Sequence, residues 1–173
     1  GIDGDWAYAL YESGLVVNLG AGPDPRNRPL SLGRGVALSV SRRRGSVLML
    51  DETGTIHTCA GRKPAWLSED RVPVENPVDF VVREDGAWVL DGYGGVHVLG
   101  GVPDLEADPR EPPVARELRG FRDGRVALLT ADGLVLELSK TAPPRVLLQL
   151  RPREDAVPVS MTSWCSARGP PRW

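Results

Sequence analysis

Leu90-Asp91-Gly92-Tyr93-Gly94-Gly95-Val96-His97-Val98-Leu99 lies near the middle of the 173-residue chain and decides its reading. An apolar run, Ala87-Trp-Val-Leu90, leads in, and a second run, Gly95-Val-His-Val-Leu99, leads out. Between them stands a short polar turn closed by Gly94. A glycine takes a positive φ at little steric cost, which a tight hairpin needs. The same frame recurs without gaps in Leu10-Tyr-Glu-Ser-Gly14-Leu-Val16-Val-Asn-Leu19, Leu50-Asp-Glu-Thr-Gly54-Thr-Ile56-His-Thr-Cys59 and Leu129-Thr-Ala-Asp-Gly133-Leu-Val135-Leu-Glu-Leu138. The anchor glycines at 14, 54, 94 and 133 repeat at intervals of 40, 40 and 39 residues, the length of a unit of four short strands. The acidic turn residues Glu12, Asp51, Glu52, Asp91 and Asp132 are expected to face solvent.

Two further elements flank each hairpin. Residues 35–40, 78–82 and 116–121 precede a hairpin and read as inner strands. Residues 29–32, 72–75, 113–115 and 157–160 follow one, and each holds a proline, which suits an edge strand lacking a ladder donor. The chain opens on a hairpin with no inner strand before it. Met161-Thr-Ser-Trp-Cys165 falls at an inner-strand spacing near the other end. The predicted fold is therefore all-β and a single domain over residues 1–173: a small β-propeller of four blades, with hairpins near 6–20, 46–60, 87–100 and 125–139. Its C-terminal strand would close the first blade. An open arc from a longer propeller, or a half-ring completed by a second copy, would read the same way.

Composition supports short strands and turns. Twenty glycines and 16 prolines are too many breakers for a helix bundle. A net charge of −2 provides no global basic field for nucleic acid. The apolar runs are far too short for a membrane-spanning helix. Because the chain begins at Gly1 rather than Met, it is expected to be a processed or excised piece of a larger product.

The block from Leu90 to Gly101 resembles a repeat of bacterial β-propeller-type proteins, many of them secreted, in which leucine, aspartate, a glycine-rich turn and valine-histidine recur at this period. Residues 45–61 keep Leu50, Asp51, Gly54 and His57 of that pattern; the first and last copies keep the leucine, the glycine and the apolar positions. The likeness to WD-type and regulator-of-chromosome-condensation propellers is looser, since no Trp-Asp dipeptide ends a repeat. The resemblance implies a binding or scaffold propeller, at the cell surface or outside the cell, and carries over no catalytic residue.

The chemistry-bearing residues are few. His57 and His97 occupy the same place in neighbouring repeats. A metal pair would need them within a few ångströms. Equivalent positions on adjacent blades stand farther apart, and the other two repeats carry Val17 and Leu136 there, so each histidine is expected to bond within its own blade. Cys59 replaces a repeated leucine and reads as a small core residue; it forms no CxxC motif, and no disulfide with Cys165 is expected. Nucleotide, calcium and serine-nucleophile signatures are incomplete, so neither a cofactor, a metal nor an enzyme is expected. Trp6 and Trp88 read as packing residues.

The candidate binding residues are the basic run Arg42, Arg43 and Arg44, the loop tryptophan Trp66, and Trp173. They suggest a non-enzymatic protein-binding or scaffold module, a component of a larger assembly, with its contacts on the loops 22–28, 42–44, 61–70 and 101–112. The alternative is a carbohydrate-binding module that stacks a sugar on Trp66.

Overall fold

The computed structural model describes residues 2–26, 34–41, 43–67, 74–109, 114–121 and 125–150. They form four antiparallel sheets in chain order. The first holds β1 (Ile2–Asp3), β2 (Trp6–Leu10) and β3 (Val16–Asn18), and the second β4 (Gly35–Ser41), β5 (Ser46–Asp51) and β6 (Ile56–Gly61). The third holds β7 (Pro77–Val82), β8 (Gly86–Asp91) and β9 (Val96–Gly100). The fourth holds β10 (Ala115–Gly120), β11 (Val126–Thr130), β12 (Leu134–Leu138) and β13 (Arg145–Gln149). Among the described residues no helix is long and apolar enough to cross a membrane.

The repeated hairpin has one construction. In the first copy the Tyr11 N–H donates to the Leu15 carbonyl at 2.9 Å, and the Gly14 N–H donates back to the Tyr11 carbonyl at 2.9 Å. The same pair of bonds closes the Asp51 and Asp91 turns. Gly14, Gly54, Gly94 and Gly133 have φ of 80°, 81°, 96° and 83°. A three-residue loop ending in a left-handed glycine matches the right-handed twist of the two strands, which is why the frame demands glycine there.

Packing explains why the middle strands read as unbroken apolar runs. β5 and β11 are buried along their whole length, with Leu48, Leu50 and Val126 wholly inaccessible or nearly so. β5 lies in a sheet with a neighbour on either side and so needs apolar side chains on both faces. Three cores fill the joints between successive sheets. Tyr8, Val16, Val47, Met49, Cys59 and Ala60 join the first to the second. Leu48, Leu50, Ile56, Phe80, Ala87 and Val89 join the second to the third. Trp88, Leu90, Leu118, Val126, Leu128 and Leu136 join the third to the fourth. Each fully buried aliphatic side chain contributes about 1.5–3 kcal/mol, so these joints hold the array together.

Polar clasps reinforce two of the joints. Arg44 Nη1 donates to the Val82 carbonyl at 3.0 Å, and Arg83 Nη2 donates to the Phe121 carbonyl at 2.7 Å. In both, a turn arginine reaches the far end of the next sheet's leading strand. Asp79 on β7 accepts the Leu118 N–H of β10 at 2.8 Å.

Three expectations change. The first sheet does have a leading strand, because β1 pairs Ile2 with Ala7 and Asp3 with Trp6. An outer strand occurs in the fourth sheet, but it is β13, earlier in the chain than 157–160, which lies outside the described residues. Of the other proline elements, 29–32 lies outside as well, while Val74 and Glu75 are not in a strand and Ala115 opens β10 instead. The expected closing stretch 161–165 also lies outside the described residues.

Candidate functional site

The two histidines are bound into the hairpins. His57 Nε2 donates to Asp51 Oδ2, and His97 Nε2 to Asp91 Oδ2, both at 2.8 Å. The other oxygen of Asp51 accepts the Thr53 and Thr55 N–H groups at 2.9 Å and the Thr53 hydroxyl at 2.7 Å. Asp91 Oδ1 accepts the Tyr93 and Gly95 N–H groups, each at 2.9 Å. Each carboxylate thus braces its own turn and pins a histidine two strand positions past it. Each histidine thus bonds within its own hairpin and sheet, and the two do not form a pair. This arrangement corrects the expectation that all turn acids face water. Glu12, Glu52 and Asp132 are exposed, whereas Asp51 is buried and Asp91 is half-buried. A carboxylate with this many donors is satisfied without solvent.

The fourth hairpin keeps the device with a different atom. Thr130 stands where Asp51 and Asp91 do, and its hydroxyl accepts the Leu134 N–H at 3.0 Å. Leu136 then takes the histidine position and joins the third core.

Cys59 is a free, buried thiol, and burial pushes its pKa up to about 11. It behaves as the small core residue expected. Cys165 lies outside the described residues. Trp6 packs on the first core and meets Tyr8 edge-on, with centroids 6.4 Å apart. Trp88 is buried in the third core.

Of the candidate binding residues, Arg43 is exposed on the β4–β5 turn. Arg44 beside it is half-buried and committed to the clasp on Val82. Its pKa is lowered, first by burial and then by Arg83 and Arg43. Trp66 is half-buried against the second core, with its β-carbon beside Gly100, and its indole N–H has no hydrogen-bond partner among the described residues. Arg42 and Trp173 lie outside the described residues.

Topology places several of these groups at one end of the array. Arg43 and Arg44 occupy the β4–β5 turn, and Arg83 the β7–β8 turn. Arg62 and Lys63 follow β6, held there by the Arg62 N–H on the Gly45 carbonyl at 2.9 Å. The β-carbon of Trp66 lies beside Gly100, which pairs with Gly86 at that same end of the third sheet. Acids share this end: Glu84 and Asp85 on the β7–β8 turn, and Asp3 and Asp5 at the β1–β2 turn, with Asp3 and Glu84 both acting on Arg44. The opposite end presents the hairpin acids Glu12, Glu52 and Asp132. The cations therefore gather at one end, among the acids Asp3, Asp5, Glu84 and Asp85, and the exposed hairpin acids stand at the other.

A second cluster went unread in the sequence. Asp79 and Glu117 occupy equivalent places on two leading strands, Asp79 opposite Leu90 and Glu117 opposite Leu129. Glu117 is buried and paired with Arg119. Burial raises the Asp79 carboxyl to about 6, against the lowering by the Leu118 and Phe80 N–H groups and by Arg119. The available signal was a carboxylate at one repeat position in two successive strands.

Asp79 carries a pH prediction. A carboxyl whose folded pKa is raised stabilises the fold fully below its unfolded value of 3.8, and that contribution is lost as pH rises through about 6. Asp79→Asn removes the loss. The stability of the variant relative to wild type is expected to increase as pH rises from about 4 to 7, measured by urea melts at each pH. A constant difference would place the Asp79 carboxyl at its ordinary value.

No known protein family, curated protein or solved structure matches this chain.

Proposed function

We propose that the chain is a non-enzymatic protein-binding or scaffold module of β-propeller type, each of its four sheets a blade. The observation carrying this reading is the repeated joint: a rigid array in which successive sheets stack through apolar cores and present their turns at two ends. Such a frame holds loops in fixed register, which suits recognition of another surface. The end carrying Arg43, Arg62, Lys63 and Arg83 is the contact surface of choice, and its chemistry fits an acidic protein face. Trp66 flanks that end. Its packing on the second core supports an anchoring role for the loop and takes part of the ring away from sugar stacking. Within this reading the module serves a larger surface or extracellular assembly, as the resemblance implies.

The test uses poly-glutamate as the acidic probe. Wild type is expected to be retained on immobilised poly-glutamate and released by salt, with interactions largely screened beyond a Debye length of about 8 Å at physiological ionic strength. Arg43→Glu should elute at lower salt with unchanged thermal stability, since Arg43 is exposed. Equal retention of the two proteins would remove this end as the binding surface.

A further inference from the structure

β13 is held along one edge. The fourth sheet runs β10-β11-β12-β13, so β12 pairs with one side of β13 and no strand among the described residues pairs with the other. Every residue from Arg145 to Gln149 is exposed, whereas β5 and β11 are buried throughout. Val146 is 54%, Leu147 42% and Leu148 52% exposed, and Leu150, just past the strand, 40%. The other exposed large apolar side chains among the described residues, Tyr11, Leu15 and Leu19, belong to the first hairpin.

A bare strand edge carries unpaired N–H and C=O groups, and another strand satisfies a row of them. Charges and prolines commonly blunt such an edge. β13 has little of either: its one charge, Arg145, stands at its first position, and Pro143 and Pro144 come before it. A bulge interrupts it instead. The register against β12 shifts between Val135, opposite Leu148, and Leu136, opposite Val146. Leu147 is therefore an extra residue with no opposite number in its own sheet.

The strand is its own complement. Set antiparallel to a second β13 about a two-fold axis at Leu147, it places Leu147 opposite Leu147, Val146 opposite Leu148 and Arg145 opposite Gln149. Apolar residues then meet apolar ones, and no like charges meet. Moving the axis to Val146 brings Pro143 and Pro144 into the ladder, where they have no N–H to give. Moving it to Leu148 sets Arg145 opposite Arg151, like charge against like. We propose that β13 pairs with β13 of a second copy of this chain in the register centred on Leu147, joining two four-stranded sheets into one. A strand from an unrelated protein would need no such match between the two halves of β13, which favours a second copy. The contact uses the same patch on both copies and so closes at two. The inference stands apart from the contact surface at the Arg43 end and can fail without it.

Light scattering over a tenfold dilution tests it on the full chain. Wild type is expected at twice its 18.7 kDa mass at the concentrated end. Leu147→Lys and Leu147→Glu each set like charges opposite one another at the centre of the pairing. Each should weaken association by roughly tenfold and leave the circular dichroism spectrum unchanged, since Leu147 is exposed in the single chain. Mixed in equal amounts, the two variants set opposite charges face to face and should associate more tightly than either does alone. Leu19→Lys, on the first hairpin, should leave the mass as in wild type. A wild-type monomer at every concentration would overturn the proposal and leave β13 open to a strand of a different protein. A dimer unmoved by both Leu147 variants, a dimer broken by Leu19→Lys, or a mixture no tighter than its parts would overturn it as well.

Discussion

Trp88→Ala is expected to lower the stability of the chain by about 3–5 kcal/mol, the usual loss for a buried tryptophan cut back to alanine. Trp88 is 3% exposed at the centre of the joint between the third and fourth sheets. Its ring fills that core, its Nε1–H donates to the Pro103 carbonyl at 2.8 Å, and the Arg83 guanidinium lies 5.6 Å from the ring centroid. Alanine removes all three contacts and leaves a cavity that strands paired on both sides cannot collapse to fill. Domains of this kind have a total stability of about 5–15 kcal/mol, so the variant should unfold at a much lower urea concentration. Trp88→Phe keeps most of the volume and loses the donor, and should lose only about 1–2 kcal/mol. A loss under about 1 kcal/mol for the alanine variant would mean that this core is not packed around Trp88.

Asp51→Ala is the second large effect, expected at about 2–4 kcal/mol, because charged acceptors in buried bonds contribute more than neutral ones. The residue is 2% exposed and accepts bonds from Thr53, Thr55 and His57. Removing the carboxylate takes the acceptor from all of those donors at once, leaving the half-buried Thr55 N–H and His57 ring without their partner in the turn. Asp91→Ala should lose less, since Asp91 is more open and receives no hydroxyl bond in its turn. The pH dependence has the opposite sign to that of Asp79. Burial by itself would raise the Asp51 carboxyl, but the bonds from His57, Thr53 and Thr55 outweigh it and hold the pKa below its usual 3.8. A depressed folded pKa gives stability that is present above pH 3.8 and lost as pH falls through the lower folded value. Wild type should lose stability in acid below about pH 4, and the loss should shrink in Asp51→Ala, read from melts between pH 2 and pH 5. An unchanged acid limb in the variant would assign the acid sensitivity to another carboxylate.

The hairpins were legible because their cause is local. A left-handed glycine, three loop residues and alternating apolar neighbours determine a turn within about ten residues. Repetition at 40 residues made the signal fourfold. The leading strands β4 and β7 were legible because each is a short, largely apolar run just ahead of a hairpin, whereas β10, Ala115-Arg-Glu-Leu-Arg-Gly120, was placed only by its spacing in the repeat. β13 is not legible from the repeat or its prolines. Val146-Leu-Leu-Gln-Leu150 arrives early, after Pro143 and Pro144, and has no counterpart in the other sheets among the described residues. β1 was missed because two residues carry no periodicity.

The candidate site divides along the same line. Residue type marked Arg43, Arg44 and Trp66, but not what each is used for. Arg44 reaches a carbonyl 38 residues away and Trp66 leans on a glycine of the next sheet, and no local pattern encodes either contact. Asp51 and Asp132 look alike as turn acids, yet one is buried and the other exposed, because only Asp51 has a histidine and two threonines arranged to satisfy it. By itself the sequence determined an all-β chain of four hairpins, since backbone geometry and alternation act over a few residues. Which faces meet, which charges are buried, and which sheet is left open at the end of the array were decided only in three dimensions. Those outcomes depend on contacts between residues about 40 positions apart, where burial and the satisfaction of polar groups select the arrangement.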